Sequence, residues 1–143
     1  MNPKRLILAI VVVFVAVFAT NYLIHEVWLK SIYVETANLW RTGTEMQKLF
    51  HFMLLGQFLF AATFVVIWSK GFPAVATLGG SVLYGLTMAL FSQSMTLITY
   101  VVQPMPPGLM VKWFIAGIAQ GMVMGVIVFV MGQPKIQVAE PKA

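Results

Sequence analysis

Four apolar runs, each long enough to cross a lipid bilayer as a helix, decide most of what this chain can become. They lie at about residues 6–24, 45–68, 74–100 and 109–131. The first, Leu6 to Ile24, is interrupted only by Thr20 and Asn21. As a helix it spans about 28 Å, against roughly 30 Å of hydrocarbon core. Hydrocarbon gives an unpaired backbone amide no partner, so runs of this kind become helices whose bonds are all internal. The rest of the composition agrees. A soluble domain needs charged side chains over most of its surface, and this chain of 143 residues has only four Asp or Glu. The sequence predicts an all-α integral membrane four-helix bundle, a single domain over residues 1–143 with the lipid bilayer as its first partner.

The connections between the runs carry the turn signals. Met1–Arg5 is a short basic leader, and the first run is read as a retained span. Val17 and Ala19 have the spacing of a signal-peptidase site, but the run is long for a cleaved signal. Residues 25–44 form a polar outer segment. In Val34–Arg41, Ala37, Trp40 and Arg41 fall at helical spacing, which predicts a short interfacial helix. Trp28, Tyr33 and Trp40 suit the head-group level. Thr42 with Glu45, and Thr44 with Gln47, are two capping-box spacings that place the start of the second span near Thr44. Ser69–Pro73 reads as a tight turn. Pro104, Pro106, Pro107 and Gly108 read as another, because proline fixes the backbone and supplies no donor. Residues 132–143, with Lys135, Glu140 and Lys142, read as a flexible tail.

Four spans put both termini on one side. That side carries Lys4, Arg5, Lys70, Lys135 and Lys142; the other carries Lys30, Arg41, Lys48 and Lys112. The Lys4-Arg5 pair directly before the first span sets the expectation of cytoplasmic termini, with residues 25–44 outside. The same scattering of base along span ends fits lipid head groups rather than nucleic acid, which needs the charge on one face. The chain has no cysteine, so no disulfide, thiolate metal site or cysteine nucleophile exists. No phosphate-cradling glycine loop, nucleophile elbow or metalloprotease spacing occurs either. The expectation is a protein that is not an enzyme.

Helices in lipid associate through close backbone approach and occasional polar contacts. The fourth span carries Gly117, Gly121 and Gly125 on one face; the third carries Ser81, Gly85 and Ala89. A short turn joins these two spans, so they are expected to pack antiparallel through these small residues, although one stripe facing a partner chain is the alternative.

Polar residues in or near the spans are the candidates for chemistry. His25 and His51 stand near the outer ends of the first and second spans, and Asn21 shares the face of His25. Gln57, Gln93 and Lys112 complete a candidate outward-facing pocket with Asn21. Two histidines on neighbouring helices are ligand types for haem iron or a transition metal, so His25 and His51 are the candidate cofactor residues, haem being the group considered. Against this stands the ordinary interfacial histidine bonded to loop backbone or water. No protein metal site is predicted. Met95, Met105 and Met110 fall near the outer side, where soft sulfur suits Cu(I), but methionine is commonly packing material. Glu26 with Lys30, and Arg41 with Glu45, have helical ion-pair spacing that is worth a few tenths of a kcal/mol at the surface. No span has a buried Asp or Glu of the proton-coupling kind.

The outer segment resembles a family of small four-span bacterial membrane proteins classified as a domain of unknown function. The likeness rests on Asn21-Tyr22-Leu23-Ile24-His25, Tyr33, Glu35-Thr36-Ala37, Leu39-Trp40-Arg41 and Glu45-Met46. It implies a multi-pass protein of the bacterial inner membrane and carries over no site residues. The small multidrug transporters also have four spans, but they rely on a glutamate in the first span that is missing here.

Three functions follow as expectations. The first is a non-enzymatic accessory subunit of a larger membrane complex, or a homo-oligomer, with other membrane subunits or copies of itself as partners. The second is a haem- or quinone-binding redox subunit using His25 and His51. The third is a small transporter or channel lined by Asn21, Gln57 and Gln93.

Overall fold

The computed structural model describes residues 1–71 and 77–133. They are helical almost throughout, with no strand among the described residues. Helix α1 (Pro3–Tyr22) starts where Asn2 Oδ1 accepts the Arg5 amide at 2.9 Å, with Pro3 in the first turn, where its missing donor costs nothing. It runs on as a π-helical turn, Leu23–Trp28, closed by the Leu29 amide on Ile24 O at 2.9 Å. Then follow α2 (Lys30–Glu35), a 3-10 turn (Ala37–Leu39), α3 (Gly43–Gly71), α4 (Leu78–Val102) and α5 (Pro107–Gly132). Among the described residues four helices, α1 with its π turn, α3, α4 and α5, are long and apolar enough to cross a membrane. The chain therefore has the make-up of a multi-pass membrane protein.

The outer segment differs from its sequence reading. The helix lies earlier, at Lys30–Glu35, and Ala37–Leu39 forms only a 3-10 turn. Thr36 is the cause. Its hydroxyl donates to Ile32 O at 2.6 Å and accepts the Trp40 indole N–H at 2.9 Å, a local bonding pattern that competes with helix propagation. Of the two capping boxes, the Thr42–Glu45 pair forms. The Glu45 carboxylate accepts from Thr42 N and Oγ1 at 2.9 and 2.8 Å, and α3 begins one residue before Thr44. That carboxylate bonds Thr42 rather than Arg41, which precedes the helix. Glu26 and Lys30 sit on either side of the break at Leu29, so their spacing belongs to no continuous α-helix. Helix α4 starts at Leu78, capped by Thr77 Oγ1 accepting from Gly80 N at 3.0 Å. The expected turn at Phe72-Pro73, the third-span start at residues 74–76, and Lys135, Glu140 and Lys142 of the tail lie outside the described residues.

The most extensive packing is α4 against α5, followed by α1 against α3 and α1 against α5, while α3 barely touches α5. The α4–α5 seam is built from small residues. A methyl group added at Gly85 would overlap the Gly121 backbone, one at Gly121 the Ala89 side chain, and one at Gly125 the Ser81 backbone. Gly117 faces the flexible side chain of Gln93 instead.

Two apolar clusters result. One fills the end of the bundle where α1 begins and α5 finishes: Ala9, Val13, Val17, Ala61, Phe64, Val65, Trp68, Tyr84, Met124 and Val128. Here α3 is tied to α4, with Tyr84 donating its hydroxyl to Phe64 O and Trp68 Nε1 donating to Ser81 Oγ at 3.3 Å. The other lies under the outer segment and centres on Leu29, Met105 and Leu109. It does not reach α3, whose residues 43–53 are all exposed.

Candidate functional site

Between the two clusters runs a layer of polar side chains. Gln120 on α5 donates its amide to Thr20 Oγ1 at 2.6 Å and to Asn21 Oδ1 at 3.0 Å, fastening α5 to the end of α1. The Gln93 amide oxygen accepts from Thr96 at 2.7 Å. Gln57, on α3, has a buried Oε1 with no hydrogen-bond partner, the one such side-chain atom among the described residues. An unpaired amide oxygen in an apolar setting costs on the order of 1–3 kcal/mol, so it marks a place where a partner belongs.

Above this layer the π turn brings His25 into an aromatic cluster with Tyr33, Trp40 and Trp113. Tyr33 Oη is the hub: the Trp113 indole N–H lies 2.7 Å away and His25 Nδ1 2.6 Å away. An indole N–H can only donate, so the phenol oxygen accepts it, and Tyr33 Oη and His25 Nδ1 share a second hydrogen bond. The other ring nitrogen, Nε2, has no partner among the described residues. Burial raises the Tyr33 pKa above the ordinary 10.0, the indole donor opposing the rise and the charge of Glu26 adding to it. The phenol therefore stays a donor at neutral pH.

Three adjoining cavities meet at Asn21. One of about 280 Å³ is walled by His25, Trp113, Gln93 and Gln120, and one of about 500 Å³ by Phe18, Tyr22, His25, Phe50 and Gln57. The third, about 250 Å³, lies deeper between Gln57, Gln93 and Gln120. It shares Phe60 and Ser92 with a fourth, apolar cavity of about 280 Å³ between α3 and α4. The helices that are tied together at one end thus diverge toward the other, and the gap exposes amide groups. Glu26, at the largest cavity, is the one charged side chain lining the four.

The residues expected to form a polar pocket are distributed as follows. Asn21, Gln57 and Gln93 line the deep cavity together. Lys112 stands apart, its Nζ 5.8 Å from the centre of the Trp28 ring. His51 is exposed, lines none of the four cavities, and has Phe52 as its ring neighbour, so it does not share a cavity with His25. Met105 and Met110 lie in the outer cluster, while Met95 is exposed. Among the described residues no three His, Cys, Asp or Glu side chains converge as a metal site.

Sequence reasoning missed Thr20, Tyr33 as a bonding hub, Trp113 and Gln120. Gln120 had a usable signal: an amide inside an apolar span is as costly as Gln57 or Gln93. The role of Tyr33 had none, because its partners come from two other elements, one of them 80 residues away. Searches among protein families, curated proteins and solved structures found no match to this chain.

Proposed function

We propose that this protein is a non-enzymatic membrane protein that binds an uncharged, lipid-soluble small molecule in the cleft that α3 leaves against α1 and α4. The observation that carries the reading is the set of adjoining cavities lined by Asn21, Gln57, Gln93 and Gln120, amides set inside apolar spans, with Gln57 lacking a hydrogen-bond partner. Polar groups inside a bundle bathed in hydrocarbon are expensive and mark ligand positions. The largest cavity, about 500 Å³, has the size of a small-molecule site. Apart from the exposed Glu26 its walls carry no Asp, Glu, Lys or Arg, which suits an uncharged head group, and the apolar cavity between α3 and α4 suits a tail reaching lipid. The filled core from Ala9 to Val128 favours a pocket open at one end over a channel. We place the protein in a bacterial inner membrane with cytoplasmic termini, the Lys4-Arg5 pair supporting that orientation, and α2 at the outer interface.

Native mass spectrometry of the protein released from membranes tests this. Gly56 lines two of the cavities and a Cβ added there meets nothing within 4 Å, so Gly56→Trp is the substitution chosen to fill the cleft. A neutral adduct of one molecule on the native chain, lost in Gly56→Trp, is the expected result. An adduct that survives, or none after incubation with lipid extract, contradicts the reading.

A second reading, association as an accessory subunit or homo-oligomer, is favoured by α3, whose residues 43–53 have no cover within the chain. The same spectra decide it: a species with the mass of one chain and no partner counts against association.

A further inference from the structure

We infer that the ligand is held through acceptor oxygens, as a lipid-tailed carbonyl compound, either an ester or a ring ketone; this deepens the cleft-binding reading above and rests on it. The deep cavity of about 250 Å³ brings together primary amides from three helices, Asn21 on α1, Gln57 on α3 and Gln93 on α4. In each of them the oxygen is engaged or enclosed and the nitrogen is left over. Hydrogen bonding fixes this for Asn21. Thr20 Oγ1 gives its proton to Ala16 O at 2.7 Å, so it accepts from Gln120 at 2.6 Å, and the Gln120 atom there is Nε2. That nitrogen meets Asn21 at 3.0 Å and needs an acceptor, which is Oδ1, so Nδ2 is the atom left for the cavity. Gln93 Oε1 accepts from Thr96 Oγ1 at 2.7 Å, leaving Gln93 Nε2. Gln57 Oε1 is buried, so Nε2 is the accessible atom of that amide. None of the three nitrogens has a partner among the described residues, and none is fully enclosed.

A cavity that offers N–H donors from three helices takes a ligand that brings lone pairs. A carbonyl oxygen has two, and it adds no proton that must itself be placed. A carboxylate also accepts, but no Lys or Arg lines the cavities, and an unpaired ion in an apolar setting costs far more than amide bonds return. An alkane leaves all three donors as they are. The apolar cavity that shares Phe60 and Ser92 with the deep one receives the tail, and Phe91 is exposed at its edge. Esters and quinone-type rings both supply this chemistry, and the test separates them.

The full chain in mild detergent is titrated in a scintillation proximity assay with tritiated methyl dodecanoate, decylbenzoquinone and tridecane, at matched mole fractions in the micelle. Each neutral hydrogen bond accepted is worth about fivefold, so a carbonyl compound should bind at least about fivefold tighter than tridecane. Gln57 bonds nothing within the chain, so Gln57→Met removes its donor without breaking an internal bond. It should cut the preference by about fivefold while tridecane binds as before. Gly117→Ala, whose methyl group would overlap Gln93 Nε2, should lower the preference as well. The tighter of the two carbonyl compounds identifies the source, ester or ring. Tridecane binding as tightly as both carbonyl compounds, or a preference that neither substitution lowers, overturns the inference and leaves the cleft reading standing. If none of the three binds, both fall.

Discussion

The two ends of this bundle are built on opposite terms. At the end where α1 begins, the helices close on one another: α4 and α5 meet backbone to backbone through Gly85, Gly121 and Gly125, and Trp68 and Tyr84 tie α3 to α4. At the outer end contact depends on long side chains. The Tyr33 hub, Trp113 and Gln120 hold α5 to the first helix and the outer segment, while α3 stands off with residues 43–53 exposed. Where small residues meet, packing leaves no room, because attraction in lipid comes from close contact. Where amides and aromatic rings meet, directional bonds fix the groups and leave the space between them open. One chain thus has a rigid base and a ligand-sized cleft without a separate domain for either.

The sharpest way to break this comparison is to enlarge the base. Gly121→Leu would drive a side chain into Ala89 and the Gly85 backbone, and should cost about 3 kcal/mol or more. Unfolding in mixed micelles measures it, and an unchanged midpoint would mean that the seam is not closed. Gly117→Leu meets only the Gln93 side chain and should cost less than half as much, roughly 1 kcal/mol.

Next comes the hub of the open end. Tyr33→Phe removes the bonds to Trp113 and His25 together and should cost about 1–2 kcal/mol, with a loss of near-ultraviolet circular dichroism from the aromatic cluster. Retention of both stability and signal would show that the cluster is held by apolar contact alone. Its pH response has a defined sign. The folded-state pKa of Tyr33 is raised, so its contribution is present below the ordinary 10.0 and is lost as pH rises through the higher folded value. The aromatic signal should therefore hold to pH 10 in the native protein, and an earlier collapse contradicts the hub.

Smaller effects belong to the start of α3. Thr42→Ala deletes one half of the capping box and should cost about 1 kcal/mol, whereas Thr44→Ala should be near neutral. A reversal of that order would place the cap two residues beyond where Thr42 and Glu45 put it.

Much of the base could be read from the chain. The spans follow from apolar length alone, and the facing small residues Ser81, Gly85 and Ala89 and Gly121 and Gly125 recur at a spacing of four, which is a local property. The cleft was legible only in part. Asn21, Gln57 and Gln93 stand out because amides are rare in such runs, but their convergence depends on how far α3 leans away from α4. The π turn at Leu23–Trp28 has no sequence signature, yet it sets where His25 points. The histidine pair was open in the sequence for the same reason: nearness to one membrane level does not decide whether His25 and His51 stand on facing surfaces.

The most direct test uses the absence of native cysteine, which makes any introduced thiol the only one in the chain. Gln93→Cys and Ser81→Cys lie on the same helix, the first lining the cleft and the second buried at 1% exposure in the base. In lipid nanodiscs, a small water-soluble methanethiosulfonate should modify residue 93 about tenfold faster or more than residue 81, the ratio set by a difference of about 1.4 kcal/mol in access. Gly56→Trp should slow the reaction at residue 93. Equal rates at the two positions, or a faster reaction at residue 81, would contradict a bundle closed at its base and open at its outer end.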